Sequence, residues 1–434
     1  MELKIEKLIY GGDGLARLPA DEHGRGKAVF VPFVLEGERI ESEIAEEKPG
    51  FARARLQRIV EPSPYRIDPS CPYFTHCGGC HYQHSTYEHQ LEIKASILRE
   101  NLRRIAKLEL SSELQIHPSP PWNYRNRTRL RVRTTPGFGI GYYRFQSHAL
   151  LPVEQCPISS PQINRAIQSI WELGRAGKVD NSVLEIEFFA NAEDSQLLIE
   201  IYLDPKRAEP DQAPPWAEDL SSTLPEVTGL AFFPAALREV PAHSEPNPVG
   251  VMGKGELMYQ TAHNTYRVSA GSFFQVNRYL TDELVKVVTA NRSGRTALDL
   301  YAGVGLFSTV LSREFERVIA VESSQQSAAD LAYNSPANVK AVRSTVEQYL
   351  ANVGGKLRPD LVVVDPPRGG LGERIARSVA ELAAPVLTYV SCDPATLARD
   401  LVPLLAAGYR VEQAHLVDLF PQTFHLESVL QLVR

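Results

Sequence analysis

From Thr296 to the last residue, short apolar runs alternate with longer amphipathic segments. The runs start at residues 297, 317, 339, 359 and 385. Helical segments of about ten to fifteen residues separate most of them, and this alternation is typical of a parallel sheet. The last two apolar runs, 409–420 and 425–434, follow each other closely and predict a closing antiparallel pair. The pattern therefore predicts an α/β domain, to which we assign residues 266–434.

Residues 1–61 have a different pattern, in which short alternating runs are separated by turns that contain glycine. The runs 28–35, 38–46 and 51–60 predict strands. Short strands joined by tight turns predict a small five-stranded barrel. The positive and negative charges of this segment nearly balance, which is compatible with RNA binding but does not require it.

The central residues, 62–265, are predicted to be mainly β. The exception is 89–108, where leucine and isoleucine recur at helical spacing; we expect this helix to pack on the C-terminal domain. Two proline-rich stretches, 204–220 and 240–250, are expected to be surface loops. A chain of 434 residues is long enough for these three domains.

The net charge of −6 gives no indication of a nucleic-acid partner, but the charges are unevenly distributed. Between Pro121 and Val153 there is no acidic residue, and arginines alternate with other residues in a stretch that also holds several aromatic residues. The arginines are Arg125, Arg127, Arg129, Arg131, Arg133 and Arg144. As a strand, the first five would form one positive face. Such a strand could be a solvated edge, but the aromatic residues favour a surface that binds phosphates and stacks unpaired bases.

Five cysteines occur in the chain, and four of them form a set: Cys71, Cys77, Cys80 and Cys156. With no leader-like start and no apolar run that could span a bilayer, we expect a cytosolic protein. Thiols stay reduced there, so the set predicts a metal or iron–sulfur site. Zinc is the alternative, because histidines lie nearby, at His76, His81 and His84.

The fifth cysteine, Cys392, ends an apolar run, and Glu427 lies in the last predicted strand. Free cysteine is usually a small buried core residue. A thiol at a strand end, with a carboxylate presented from a later strand, instead suits a thiolate nucleophile and a base that removes a proton. Both residues are therefore catalytic candidates.

A cofactor site is predicted at neighbouring strand ends. Gly303 and Gly305 form a tight turn after a strand, and Glu322 ends the next strand, where an acid binds ribose hydroxyls. The third glycine of a dinucleotide-binding motif is replaced by Ser308, which disfavours NAD and suits S-adenosylmethionine. Asp365 ends a further strand and is followed by two prolines and an arginine, where enzymes that methylate amines place an aromatic residue.

Several of these segments resemble known families. The segments 5–18 and 30–44 resemble the TRAM domain, an OB-like RNA-binding module. Nearly the whole chain resembles the RumA/TrmA family of RNA uracil-5-methyltransferases. The resemblance rests on the four cysteines and on the motifs YRNR, FFQVN, LDLYAGVG, DPPRGG, YVSCDP and DLFPQTFHLE.

The resemblance implies a Rossmann-like methyltransferase domain, an N-terminal TRAM barrel and a mainly β central iron–sulfur domain. It implies Cys392 as nucleophile and Glu427 as proton acceptor. By position, it also implies four residues for S-adenosyl-L-methionine and four for a [4Fe–4S] cluster. These are Gln275, Tyr301, Glu322 and Asp365 for the former and Cys71, Cys77, Cys80 and Cys156 for the latter.

Two positions depart from the family pattern. Asp393 stands where Asn usually follows the nucleophile, and a carboxylate there would raise the thiol pKa unless it points away or pairs with Arg399. Leu306 replaces an Asn in the glycine turn. Neither change touches the predicted nucleophile or base, so we expect an active enzyme.

The expected substrate is a structured RNA, most readily 23S ribosomal RNA, with a tRNA uridine as the alternative. We expect a monomer that binds neither DNA nor membranes. A non-catalytic RNA-binding relative is a further alternative, against which the retention of Cys392, Glu427, Asp365 and Glu322 argues. A cytosine-5 methyltransferase is disfavoured because Ser391, rather than proline, precedes the thiol.

Overall fold

The computed structural model describes residues 1–19, 24, 26–207, 215–235 and 247–434. Within them, the strands are β1 Glu2–Lys4, β2 Lys7–Leu8, β3 Asp13–Arg17, β4 Ala28–Pro32, β5 Arg39–Glu47, β6 Phe51–Glu61, β7 Leu114–His117, β8 Arg127–Arg133, β9 Gly139–Tyr143, β10 Leu150–Pro152, β11 Val183–Ala190, β12 Leu197–Leu203, β13 Val227–Pro234, β14 Gly250–Gly253, β15 Glu256–Gln260, β16 Thr265–Ser269, β17 Gly294–Leu300, β18 Phe315–Glu322, β19 Val339–Arg343, β20 Leu361–Val364, β21 Val386–Ser391, β22 Arg410–Val417 and β23 Glu427–Val433. The α-helices are α1 Tyr87–Asn101, α2 Pro161–Arg175, α3 Pro215–Thr223, α4 Thr281–Thr289, α5 Ser308–Leu311, α6 Gln325–Asn334, α7 Val346–Val353, α8 Gly372–Glu381 and α9 Pro394–Ala406. None of the helices in these residues combines the length and the apolarity needed to cross a bilayer.

The N-terminal residues form one six-stranded sheet with the order β1-β5-β6-β4-β3-β2. Its inward side chains bury a small aliphatic core that includes Ile5, Val29, Val31 and Ile40. The three strands predicted from the sequence correspond to β4, β5 and β6, but the described part of this unit has six strands rather than five. The extra strands include β2, which has only two residues and is too short to give a periodic signal.

The central sheet has the order β10-β9-β8-β11-β12-β13-β14 and is antiparallel except between β12 and β13. Helix α2 covers one face, where Ile163, Ile167 and Ile170 are fully buried. The sequence pattern predicts only strand-like segments here, and helices α2 and α3 correct that prediction. The loop predicted over 204–220 is also wrong in part, because α3 starts at Pro215, a residue that favours the first helical turn. Residues 208–214 and 236–246 of the two predicted loops lie outside the described residues.

The C-terminal sheet has the order β19-β18-β17-β20-β21-β23-β22-β7. Strands β17 to β21 pair in parallel, and β23 lies antiparallel between β21 and β22, which confirms the predicted closing pair. All four residues of β20 are buried, as expected for a parallel strand covered on both faces. The carboxyl ends of β17, β18, β20 and β21 therefore meet along one edge.

The segment that includes α1 and β7 is part of this C-terminal unit. Helix α1 continues as a π-helical turn from Leu102 to Ala106, and Ile93 and Leu98 are buried with residues of the C-terminal sheet. The packing expected of the predicted helix is confirmed. Strand β7 pairs in parallel with β22 at the edge of the sheet, which the sequence pattern did not predict.

Candidate active site

Cys392 and Glu427 lie opposite each other on adjacent strands. Ser391 and Ser428 are register partners of β21 and β23, and the Ser428 hydroxyl donates to the Ser391 carbonyl oxygen at 3.2 Å. The ladder ends at this pair, and continuing its register by one position sets Cys392 opposite Glu427. The Glu427 carboxylate is also the charged group with the largest effect on the Cys392 pKa, which agrees with this placement. Directly opposed residues of an antiparallel pair have Cβ atoms about 5 Å apart, on one face of the sheet. The register therefore brings the thiol and the carboxylate together.

The surroundings raise the pKa values of both groups in the free protein. Burial, followed by the charges of Glu427 and Asp365, raises the pKa of the Cys392 thiol to about 12, and Arg368 opposes this effect. Burial and Asp365 raise the pKa of Glu427 well above its ordinary value, again against the influence of Arg368. A thiol and a carboxyl group in this state become nucleophile and base only after each loses a proton.

The predicted cofactor residues surround the turn after β17. Glu322 accepts backbone N–H groups from Gly303 at 2.9 Å and from Ser323 and Ser324 at 2.6 and 2.7 Å. Tyr301 has a positive φ of 64°, which turns the chain sharply away from the strand end. A Cβ built on Gly303 would meet no atom within 4 Å, so open space lies beside the turn.

Asp365 borders the same region, because it directly follows β20, the neighbour of β17 in the sheet. The Asp365 carboxylate has no hydrogen-bond partner among the described side chains and backbone groups, which leaves it available to a ligand. Burial, followed by the nearby Asp299 carboxylate, raises its pKa to about 7. Gln275 follows Phe274, which is buried in the core cluster that also holds Val304 of the glycine turn. Of the four residues predicted to bind S-adenosyl-L-methionine, the structure thus places Tyr301, Glu322 and Asp365 at the carboxyl ends of β17, β18 and β20, which are neighbours in one sheet.

The four remaining cysteines line one cavity of about 320 Å³. None of them is in a disulfide. The Gly79 N–H points at the Cys77 sulfur at 3.4 Å, and the amide of Asn164 holds the Cys156 backbone. The predicted set is therefore gathered in space. Its cavity extends to Arg368 and His425, beside the catalytic candidates.

A bound metal is a different matter. No group of three or more His, Cys, Asp or Glu side chains in the described parts of the chain is arranged to hold a metal ion. The expected iron–sulfur centre is therefore not shown, and neither is the zinc alternative. Burial, followed by the neighbouring thiols of Cys156 and Cys71, raises the pKa of Cys77 to about 11.

The arginine-rich strand is not the open positive face that we expected. Arg127 is buried and pairs with Glu187, which also binds Arg129 at 2.5 Å. Arg131 pairs with Glu185 at 2.9 Å. The two glutamates lie on β11 directly opposite β8, so they neutralise much of the arginine charge. These ion pairs could not be predicted from residues 121–153, because that segment contains no acidic residue and the glutamate partners lie in a later segment of the chain.

Three residues of the site were not assigned from the sequence. The Tyr10 hydroxyl donates to the Cys392 carbonyl oxygen at 3.1 Å, from the N-terminal sheet. Arg368 lies 3.4 Å from His425 Nε2, between the cysteine cavity and the catalytic candidates. Arg368 and His425 are inside the motifs DPPRGG and DLFPQTFHLE, which could have pointed to them. Nothing in the local pattern around Tyr10 could have done so.

The two departures from the family pattern have simple structural outcomes. Asp393 caps α9, because its Oδ1 accepts the N–H groups of Ala395 and Thr396 at 2.9 Å. It raises the Cys392 pKa less than burial and two other carboxylates do. It does not pair with Arg399, which binds Asp400 instead at 2.8 Å. The replacement at position 306 places leucine in the core rather than a polar group in the turn.

A parallel sheet with a glycine turn, an acid at the end of the next strand and a further strand-end carboxylate fits the fold of an S-adenosyl-L-methionine-dependent methyltransferase. Comparison with known families agrees: the model described as tRNA (Uracil-5-)-methyltransferase matches residues 254–434, and the TRAM domain model matches residues 1–56. A protein of Aquifex aeolicus named an uncharacterized RNA methyltransferase is 32% identical to this chain, over an alignment that covers 100% of this chain and 98% of that protein. One of Halalkalibacterium halodurans is 29% identical, over 100% of this chain and 96% of its own length.

A solved structure is also similar over its full length. The Pyrococcus abyssi tRNA (uracil-54, C5)-methyltransferase, in complex with S-adenosyl-L-homocysteine, has a TM-score of 0.77 and 25% sequence identity, and each chain is covered completely. The chain belongs to the RumA/TrmA family of RNA uracil-5-methyltransferases. It is an RNA-methylating enzyme whose methyl donor is S-adenosyl-L-methionine.

Proposed function

We propose that the enzyme methylates uracil C5 in a structured RNA, with Cys392 as nucleophile and Glu427 as base. The observation that carries this proposal is the register of β21 and β23, which, continued by one position, sets Cys392 opposite Glu427. The pair lies at the carboxyl edge of the sheet that also bears Asp365 and the glycine turn. Thiol, base and methyl donor can therefore reach one pyrimidine ring.

The residues at this edge fit the donor. Open space beside Gly303, the ordered Glu322 carboxylate and the unbonded Asp365 carboxylate provide room and polar partners for a nucleoside. Tyr301 and Gln275 are the other two residues that would contact it. S-adenosyl-L-methionine, when bound, supplies an electrophilic methyl group.

Uracil C5 by itself is a weak nucleophile, and the chain's own residues activate it. The Cys392 thiolate bonds to C6, and the electron pair of the C5–C6 double bond makes C5 enolate-like. C5 then takes the methyl group, with the breaking bond's electrons leaving on sulfur. Glu427 removes the C5 proton, the double bond re-forms, and the bond between C6 and the Cys392 sulfur breaks to return the thiolate. Because a stacked base exposes neither face, the uridine must be flipped out.

For the target RNA, we propose 23S ribosomal RNA. The support is the combination of a TRAM domain with four gathered cysteines, which suits the recognition of a large folded RNA. A tRNA uridine is the second candidate, favoured by the full-length similarity to the Pyrococcus abyssi enzyme, which acts on tRNA. Mapping 5-methyluridine in ribosomal RNA and tRNA of cells that lack the protein distinguishes the two.

We also propose that Cys71, Cys77, Cys80 and Cys156 hold a [4Fe–4S] cluster. A single zinc ion needs four donors about 2.3 Å from one point, whereas these thiols surround a cavity and are not gathered around one ion. Mutual repulsion of the thiolates requires a cationic group between them, and the backbone N–H of Gly79 suits a cluster sulfur or its ligand. The cluster would be structural, shaping the wall of the RNA site.

The mechanism is tested by Glu427→Gln. Methyl transfer needs no loss of the C5 proton, so this variant should stall after transfer and retain a covalent protein–RNA adduct. A denaturing gel with labelled RNA should show a slow band that carries methyl from labelled S-adenosyl-L-methionine. The band should vanish in the double variant Cys392→Ala, Glu427→Gln. Normal turnover by Glu427→Gln would show that another base, with Asp393 the first to test, removes the proton.

A further inference from the structure

The turn between β2 and β3 of the N-terminal barrel (residues 1–61) reaches both loops that carry the catalytic pair. The Tyr10 hydroxyl donates to the Cys392 carbonyl oxygen at 3.1 Å, and its ring packs edge-on against Phe424, with the ring centres 5.4 Å apart. Phe424 lies shortly before Glu427 in the chain. One side chain of the barrel therefore contacts the nucleophile loop and the loop of the base.

The position of this turn is restricted by its backbone conformation and by its packing. Gly11 and Gly12 have φ values of 109° and 93°, which side chains rarely adopt, and a Cβ on Gly12 would approach His81 Cβ to 3.0 Å. Leu8, just before the turn, is buried in the same core as Leu387 of the C-terminal sheet. The barrel is thus packed into the catalytic unit, and the position of the tyrosine is set by this packing.

The hydrogen bond from Tyr10 holds the carbonyl group of Cys392 in place. Cys392 follows the last ladder pair of β21, so its carbonyl oxygen has left the sheet. Among the residues that the structure describes, only Tyr10 donates a hydrogen bond to it. Burial, followed by the charge of Asp393, raises the pKa of the Tyr10 phenol, so the hydroxyl remains a donor at any working pH.

We propose that Tyr10 is a positioning residue through which the barrel holds the Cys392 loop and the Phe424 loop in their reactive arrangement. The inference rests on the proposed roles of Cys392 and Glu427. It gives the barrel a part in the chemistry that is separate from RNA binding. A shift of a nucleophile by about 1 Å can cost about a hundredfold in rate, which makes such a support significant.

The test is Tyr10→Phe in the full-length protein, which removes the hydroxyl and keeps the ring. Two quantities are measured: alkylation of Cys392 by iodoacetamide over a pH series, followed by peptide mass spectrometry, and steady-state methylation of RNA. We expect kcat to fall about tenfold, the size of one lost hydrogen bond, with KM for RNA and donor within about twofold. Without the neighbouring donor dipole, the alkylation profile should move to higher pH.

Phe30→Leu is the matched control, since Phe30 belongs to the same barrel and packs against Phe51. It should leave the alkylation profile and kcat unchanged. If Tyr10→Phe also leaves both unchanged, or weakens RNA binding alone, the inference is wrong. The alkylation assay needs no RNA, so a shifted profile supports the positioning role even if the proposed RNA chemistry fails.

Discussion

Two regions of the molecule hold partly or fully buried thiols, and the groups that surround the thiols differ between them. At the sheet edge, Cys392 faces carboxylates, with Arg368 as the opposing positive charge. In the cavity, Cys77 faces other thiols, with Arg125 as the opposing charge. Burial is the largest cause of the raised pKa in both places. The two regions differ in which partner can stabilise the deprotonated thiol.

A single thiol beside a carboxylate can exchange protons with its neighbour and with a substrate, so it suits transient bonding. Several thiols that face one another repel as thiolates, and only a cationic centre relieves this. The two regions also share a wall formed by Arg368, Phe420 and His425. Thiol chemistry is therefore decided by neighbours rather than by burial, and variants at each region should separate the two roles.

Removal of the nucleophile should have the largest effect. Cys392→Ala is expected to lower methyl transfer by more than about a thousandfold, because no other thiol lies on the β21 edge among the described residues. Binding of RNA and of S-adenosyl-L-methionine should remain, since the variant loses only a sulfur atom. Methyl incorporation at a rate near that of the wild type would overturn the assignment.

Loss of a cavity thiol should instead affect the metal and the fold. Protein purified without oxygen is expected to be brown with about four irons per chain, and Cys77→Ser should lose the colour and melt earlier. Binding of S-adenosyl-L-methionine should be little changed. Iron analysis and thermal unfolding measure these effects. Colourless wild-type protein with stoichiometric zinc would show that the site is a zinc site.

Arg368→Met tests the charge on the shared wall. Arg368 lowers the pKa of both Cys392 and Glu427, so its removal raises both values and leaves less of each group deprotonated at a given pH. The rate profile should therefore move to higher pH. Arg368→Lys, which keeps the charge, should move it less. An unchanged profile in Arg368→Met would show that the guanidinium acts on neither group.

Asp393→Asn should have the smallest effect. Asparagine also caps helices, so the melting temperature should be nearly unchanged. Removal of one negative charge lowers the Cys392 pKa, and alkylation of the thiol should begin at slightly lower pH. The change is small because burial, Glu427 and Asp365 raise that pKa more. A shift as large as that of Arg368→Met, or a large loss of stability, would contradict this account.

Local sequence patterns were enough to predict the parallel sheet, its closing antiparallel pair and the candidate residues at the strand ends. Strand and helix periodicity are local, and strand ends such as Asp365 and Cys392 meet at one edge whenever the strands are parallel. The two short motifs that contain Cys392 and Glu427, YVSCDP and DLFPQTFHLE, could likewise be recognised from the sequence alone.

Other features were decided only by tertiary structure. The alternating arginines are neutralised by Glu185 and Glu187, which no local pattern around 121–153 reveals. Strand β7 joins the catalytic sheet from a region assigned to the central domain. Tyr10 reaches Cys392 across 382 residues of sequence. Contacts of this kind depend on how separate units pack together, and packing is set by the complementarity of whole surfaces rather than by the order of residues along one segment.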